Sequence, residues 1–161
     1  MRYSLLKPLL GACLLMWSYS SVAQNYNPFA GNWVLDLSAS NYTSGPAPQQ
    51  QTRAYQVRGG GTFVFILDGM AADGSRVHFS ASYKYDNLEY PLAGLNQAQA
   101  QTIAYSRVNN RSVEYNIREQ GRVTQTGTKV VSDNGRTMTI TVQITNLKGQ
   151  HFTDVLVFRK H

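Results

Sequence analysis

Acidic side chains and histidines are the residues of this chain that could supply acid–base catalysis or bind a metal ion. Four of the nine carboxylates stand beside glycine or asparagine at predicted turns, where aspartate commonly hydrogen-bonds to the backbone: Asp68, Asp73, Asp86 and Asp133. The others show no spacing that would pair two of them on one face: Asp36, Glu89, Glu114, Glu119 and Asp154. The histidines form no HxH or HExxH pattern. The sequence therefore predicts no enzyme, no metal site and no cofactor.

A group of arginines is the second candidate for chemistry. Arg107, Arg111, Arg118 and Arg122 lie along one predicted hairpin that also carries Tyr105 and Tyr115, and basic residues interleaved with aromatics on a sheet would suit single-stranded nucleic acid. The two tyrosines, however, belong to the inward-facing positions, whereas Arg118 belongs to the outward-facing ones. We therefore expect a solvated basic edge and no nucleic-acid partner. With a formal net charge of +6, an anionic envelope polymer would be the better match for that edge.

Aromatic residues on the inward positions are the third candidate. Tyrosine supplies an apolar ring with a hydroxyl at its tip, which suits a small amphipathic ligand. The residues predicted to line such a site are Tyr55, Phe65, Tyr83, Tyr105 and Tyr115. The alternative is that these rings fill the core solidly, as they do in many small barrels.

The elements that must position these residues are short strands. Alternating apolar and polar residues, punctuated by turn residues, continue almost to the end of the chain. The only helical turn predicted covers Leu95 to Ala100. The sequence predicts ten strands, at 31–37, 51–58, 62–68, 76–85, 88–92, 101–107, 112–118, 122–131, 136–145 and 151–159.

Strands with one apolar and one polar face need a core on one side only. The strand at 76–85 has Val77, Phe79 and Ala81 on one face, with Arg76 and His78 on the other. A sandwich would satisfy this pattern, but successive short hairpins favour an all-β, closed up-and-down antiparallel barrel of eight to ten strands.

Two further features of the barrel follow from the connections and the faces. The longer connections alternate along the chain with the shorter ones, which predicts a cup with a tight bottom and a mouth, and the segment from Ser38 to Gln50 is expected to overhang that mouth. An outer-membrane barrel is the structural alternative, but it would place arginine, lysine and glutamine against lipid, which is costly.

The first residues have the layout of a secretory signal peptide. Arg2 and Lys7 precede an apolar run that is too short to span a bilayer as a helix, and small residues follow up to Ala23. We expect cleavage after Ala23, a single domain at 24–161, and a periplasmic or secreted protein. The only cysteine, Cys13, lies in the signal, so the mature chain has no disulfide. The alternative is a lipid on Cys13, because the residues from Leu10 to Cys13 resemble a bacterial lipoprotein box.

The first predicted strand begins with a Gly-x-Trp motif, Gly31 to Trp33. A bulky side chain there would plug the bottom of the barrel, and a glycine beside it would let backbones approach closely. The last strand would bring Arg159 near Trp33, so that its guanidinium lies over the indole. These three residues are predicted to close the barrel.

A Gly-x-Trp motif in the first strand with an arginine in the last resembles the lipocalin and calycin barrels. Three segments, GNWVLDLSASNYTSGPAPQ, DGMAADGSRVHFSASYKYDNLEYPLAG and VVSDNGRTMTITVQ, in this order resemble secreted bacterial proteins described as lipocalin-like. The resemblance covers nearly the whole mature chain. The other sequence blocks of true lipocalins and their cysteines are missing here. The resemblance implies a barrel and, through the fold alone, binding of a small apolar molecule.

The sequence thus predicts an exported lipocalin-like barrel whose function is to bind a small apolar or amphipathic molecule in the cell envelope. The alternative is a solidly filled barrel that acts through its surface as an envelope interaction module. The sequence predicts no particular oligomeric state.

Overall fold

The computed structural model describes residues 27–95, 100–146 and 148–161. Its ten strands are β1 (Gly31–Leu35), β2 (Gln50–Val57), β3 (Phe63–Met70), β4 (Arg76–Tyr83), β5 (Asp86–Gly94), β6 (Gln101–Asn109), β7 (Ser112–Glu119), β8 (Arg122–Val131), β9 (Thr137–Thr145) and β10 (His151–Lys160). Within these ranges the helical segments are two 3-10 turns, Leu37–Ala39 and Gly59–Gly61, neither long nor apolar enough to cross a membrane. The predicted signal segment and residues 96–99 of the predicted helical turn lie outside the described residues.

Each strand pairs with its neighbours in sequence, and β1 pairs with both β2 and β10, so the sheet closes on itself. All pairings are antiparallel, for example Trp33 with Arg53 of β2 and Lys160 of β10. The prediction of a closed up-and-down barrel is confirmed. Because closure leaves no strand without two neighbours, the ring has no open edge.

The apolar faces of the strands point into the barrel. On β9 the side chains of Met138 and Ile140 are fully buried, as the alternation of that strand predicts. Val77 and Phe79 of β4 pack partly buried against the core, whereas Arg76 is exposed. The core is therefore the barrel interior.

The two ends of the barrel differ. Trp33 is 0% exposed at the closed end, where its indole N–H donates a hydrogen bond to the Phe29 carbonyl at 2.8 Å. The cation over the indole is Lys160, with its Nζ 5.1 Å from the ring centroid. The predicted position of Arg159 over the indole is wrong: Arg159 pairs instead with Asp36, at 3.0 Å. Neighbouring residues of a strand face opposite sides, so only Lys160 shares the inner side with Trp33.

The longest connection, residues 36–49, does not overhang the mouth along its whole length as predicted. Its first half runs beside β10, where Asn41 and Val155 exchange two backbone hydrogen bonds of 2.7 and 2.8 Å. Further along, the Thr43 hydroxyl donates to the Thr153 carbonyl and accepts from the Thr153 N–H. Residues 36–44, which we call the strap, therefore extend the barrel wall beyond the end of β1.

Gly31 is the glycine whose conformation the closure requires. Its φ of +122° is one that side-chain-bearing residues rarely adopt, and a Cβ there would come within 2.9 Å of the Lys160 side chain. We expect Gly31→Ala to lower the free energy of unfolding by about 1–3 kcal/mol, measured by urea denaturation. Gly45→Ala is the matched control, since that glycine has an ordinary φ and open space around its Cβ position. Equal stability of the two variants would contradict this role of Gly31.

Candidate functional site: a cavity inside the barrel

A cavity of about 270 Å³ lies inside the barrel. It occupies the half nearer the mouth, where the connections after β1, β3, β5, β7 and β9 meet. Its walls combine aliphatic, aromatic and polar side chains. The aliphatic residues are Leu67, Val77, Leu92, Ile103, Ile117, Val142, Ile144 and Leu156, and the polar and charged ones are Gln51, Arg53, Gln101, Thr124, Gln125, Lys129 and Asp154.

Three of the five residues predicted to bind a ligand line this cavity: Phe65, Tyr105 and Tyr115. The other two, Tyr55 and Tyr83, are buried but do not line it. Tyr83 instead packs against Tyr105, with ring centroids 4.2 Å apart, and Tyr55 stacks on Phe65 at 5.3 Å. These two rings therefore support the cavity residues from the closed side.

Lys129, the most unusual residue of the site, is not among the residues predicted from the sequence. This lysine lies near the closed end of β8 and is only 1% exposed. Its amine donates hydrogen bonds to the hydroxyls of Tyr55 at 2.8 Å and Tyr105 at 2.5 Å. A sequence signal existed, because Lys129 is two residues before the inward-facing Val131 and must share its face.

Four aromatic rings surround the Lys129 amine. Its Nζ lies 4.4 to 5.1 Å from the ring centroids of Tyr55, Phe65, Tyr105 and Tyr115. Such contacts favour the protonated amine electrostatically, but no carboxylate among the described residues lies within ion-pair distance of it. The amine therefore sits in an aromatic box without an opposite charge.

Burial is the main influence on protonation in this box. Desolvation, with a smaller contribution from the Arg53 charge, holds the pKa of Lys129 well below its usual value. Desolvation also raises the pKa of Tyr55 to about 12, against the opposing effect of Arg53, and that of Tyr105 well above its usual value. The phenols thus keep their protons at neutral pH, while the amine gives its proton up easily.

Arg53 is the second cation of the interior, and it too is absent from the site predicted from the sequence. Its guanidinium carbon lies 4.9 Å from the Phe158 ring centroid and 5.7 Å from that of Phe65, and its Nε donates to the Gln51 side chain at 3.2 Å. Arg53 and Lys129 thus share contact with one ring, that of Phe65. Arg53 is two residues before Tyr55 on β2, and side chains two residues apart on a strand face the same side. Because Tyr55 was predicted to point inward, Arg53 had to point inward as well.

Asp154 is the carboxylate that lines the cavity, and it is committed to the strap. Its side chain is 4% exposed and accepts hydrogen bonds from the Thr43 and Ser44 N–H groups at 2.7 and 3.0 Å, and from the Ser44 hydroxyl at 2.5 Å. Burial alone would raise the pKa of Asp154, but these hydrogen bonds bring that pKa below its usual value. Asp154 therefore anchors the wall as a charged group.

Gly127 makes room for one wall of the cavity. It lies opposite Tyr115 on the neighbouring strand, and a Cβ at this position would overlap the tyrosine ring. The ring of Tyr115 therefore rests against bare backbone, which is a use of glycine inside a strand that sequence alone does not reveal.

No group of three or more histidine, cysteine, aspartate or glutamate side chains that could hold a metal ion occurs within the described ranges.

No protein-family model matches this chain, and no curated protein matches it. Its structure is similar to that of the wild-type fluorescent protein UnaG, with a TM-score of 0.59 at 13% identity over 83% of this chain and 97% of that one. It is also similar to Rv2717c from M. tuberculosis, with a TM-score of 0.55 at 12% identity over 83% and 93% of the two chains. At these identities the likeness shows the fold alone, a closed antiparallel β-barrel.

The lowered pKa of Lys129 predicts a specific pH dependence of stability. An unfolded lysine keeps its proton up to about pH 10, whereas folded Lys129 releases it at lower pH, so the unfolded chain binds more protons in between and stability rises with pH there. Relative to Lys129→Met, the wild-type free energy of unfolding should rise between pH 7 and 9, by up to about 1.4 kcal/mol per pH unit.

Urea denaturation of both proteins at several pH values measures this difference, and titrating groups that do not contact Lys129 cancel in it. The test is the slope of this stability difference against pH. Its absolute size is not used, because the variant also deprives two tyrosine hydroxyls of a hydrogen-bond partner. Above about pH 10 the raised pKa values of Tyr55 and Tyr105 act in the opposite direction. A flat or falling difference between pH 7 and 9 would show that Lys129 is protonated in the folded barrel.

The anchoring of the strap by Asp154 is tested separately. In Asp154→Ala the amides of Thr43 and Ser44 lose their acceptor, so we expect their hydrogen exchange to accelerate by tenfold or more, for a cost of roughly 1–3 kcal/mol. Asp133→Ala is the control, since that carboxylate is 94% exposed and pairs only with Arg111. Unchanged protection of both amides would mean that the backbone contacts with β10 hold the strap without Asp154.

Proposed function

We propose that this chain is exported and binds a small amphipathic molecule in the cavity of its barrel, in the periplasm or outside the cell. The cavity is the observation that carries the proposal, because a barrel built only as a scaffold has no need of an interior space beside buried polar groups. We infer binding without turnover, as the sequence predicts.

The composition of the cavity wall suits an amphipathic molecule. Small-molecule sites are mostly apolar, with a few polar groups that fix the orientation of the ligand. Here the aliphatic side chains supply the apolar part, and Arg53, Lys129 and the hydroxyls of Tyr105 and Tyr115 supply the polar part. Glutamines 51, 101 and 125 lie near the mouth ends of their strands, where an entering molecule would first meet them.

The cavity volume limits the size of the ligand. A cavity of about 150 Å³ in another protein holds one benzene molecule. By proportion, about 270 Å³ has room for roughly ten non-hydrogen atoms. The occupant is therefore a compact molecule or a short chain.

Export rests on the sequence of the first residues. The basic start, the short apolar run and the small residues before Ala23 are typical of a cleaved signal peptide. A lipid on Cys13 remains the alternative route to the envelope. The intact mass of the protein recovered from its producing cell distinguishes the two, because cleavage after Ala23 leaves a chain that starts at Gln24.

Calorimetric titration with octanoate and 1-octanol, which fit the cavity in size, tests the binding function. We expect saturable binding of at least one, and a loss of tenfold or more in affinity for Val77→Phe, whose added ring would occupy the cavity that Val77 lines. Val34→Phe is the matched control, because Val34 is 42% exposed on the outside of the barrel and its change should leave binding intact.

A second measurement uses the native protein. Its intact mass under non-denaturing conditions, before and after organic extraction, should reveal a releasable molecule. Failure of both probes to bind the folded protein, together with a bare polypeptide mass, would refute the proposal and favour an envelope interaction module that acts through its surface.

A further inference from the structure

The charges inside the barrel do not balance locally. Arg53 and Lys129 both project into the cavity, and no carboxylate among the described residues lies within ion-pair distance of either. A guanidinium keeps its charge at any ordinary pH, and a buried charge without a partner is costly. The two basic groups therefore lack a paired negative charge at the inner end of the cavity.

The hydrogen bonds between Asp154 and the strap keep this carboxylate from pairing with Arg53 or Lys129. Its carboxylate already accepts hydrogen bonds from two backbone N–H groups and a hydroxyl of residues 43 and 44. Turning toward the cations would leave those donors without an acceptor in the wall, at a cost comparable to the gain. The negative charge has to come from outside the chain.

Resting on the binding function proposed above, we propose that the ligand is a monoanion, a carboxylate with a short apolar chain, whose head group lies between Arg53 and Lys129 and whose chain points toward the mouth.

The geometry favours this orientation. Lys129 lies near the closed end of β8, and the hydroxyls of Tyr55 and Tyr105 meet its amine there. Arg53 faces the same Phe65 ring from β2. The aliphatic residues that line the rest of the cavity, such as Val77, lie toward the mouth. A carboxylate placed at the inner end would receive charge-assisted hydrogen bonds, while its chain would replace water against apolar walls.

A single negative charge fits better than two. Arg53 supplies one permanent positive charge, and an anion beside the Lys129 amine, whose pKa burial lowers, would favour protonation of that amine. The ionisable groups facing that amine are Arg53 and Tyr55 on β2, Tyr105 on β6 and Tyr115 on β7, and Asp154 of β10 lines the same cavity. Binding should therefore draw a proton from solution onto Lys129.

Head-group selectivity is the first test. Octanoate, 1-octanol and octylammonium share one chain and differ in charge, and calorimetry at pH 7 compares their affinities for the folded protein. We expect octanoate to bind about tenfold or more tightly than the other two. We also expect proton uptake, seen as a dependence of the binding heat on the buffer, for octanoate and not for octanol.

The variants assign the effect to the two cations. Arg53→Gln and Lys129→Met should each weaken octanoate binding by about tenfold or more and weaken octanol binding less, and Lys129→Met should abolish the proton uptake. Arg122→Gln removes an exposed positive charge at the mouth end of β8 and controls for general attraction of anions, so it should leave octanoate binding nearly unchanged.

The outcomes separate this inference from the function on which it rests. Two results would contradict an anionic head group: octanol and octylammonium bind as tightly as octanoate, or both interior variants keep the wild-type affinity for octanoate. In either case the barrel would still bind small molecules. If none of the three probes binds the folded wild-type protein and the native protein has a bare polypeptide mass, the binding function fails and the inference falls with it.

Discussion

Closure of the barrel depends on a strand of only five residues, β1. It must pair on both sides, with β2 and with β10, although both are longer. The strap continues β10's pairing where β1 ends, through the Asn41 bridge and the Asp154 carboxylate. If this seam opened, two long strands would expose unpaired backbone groups, and the cavity would lose the wall that Asp154 and Leu156 form.

The interior then has to accommodate charge in an apolar space. Burying an amine and partly burying a guanidinium without carboxylates is unfavourable, and an aliphatic residue at position 129 would avoid the first cost. The structure reduces the cost with two phenol hydroxyls, four aromatic faces and a lowered pKa of Lys129. Such violations of the rule that cores are apolar are expected at functional sites, which is why the binding proposals rest on Lys129 and Arg53.

Alternation and turn residues predicted the strands well, because each apolar face on β4, β7 and β9 has the period of two that a half-buried strand requires. Lys129 escaped prediction because β8 carries polar residues on both faces, from Thr124 to Thr128, so periodicity over that stretch does not show which face turns inward. Whether Arg159 or Lys160 covers Trp33 depends on which face of β10 turns inward, and the sequence leaves this open because both faces are apolar, with Val155 and Val157 on one and Leu156 and Phe158 on the other. The presence and size of the cavity depend on the volumes of side chains from all ten strands, so they cannot be predicted from a local sequence pattern.

The distribution of side-chain shapes reconciles the two expectations of a filled and a hollow barrel. Near the closed end, aromatic rings pack on one another, as Phe63 does with Tyr83 and Tyr85 at centroid distances of 5.9 and 4.6 Å, and they fill that half. Nearer the mouth the inward residues are mostly aliphatic and reach less far across the same diameter, so space remains. The polar groups of the site lie where these two halves meet, because there a long side chain from one wall can reach the hydroxyls of the aromatic half and still face the open space.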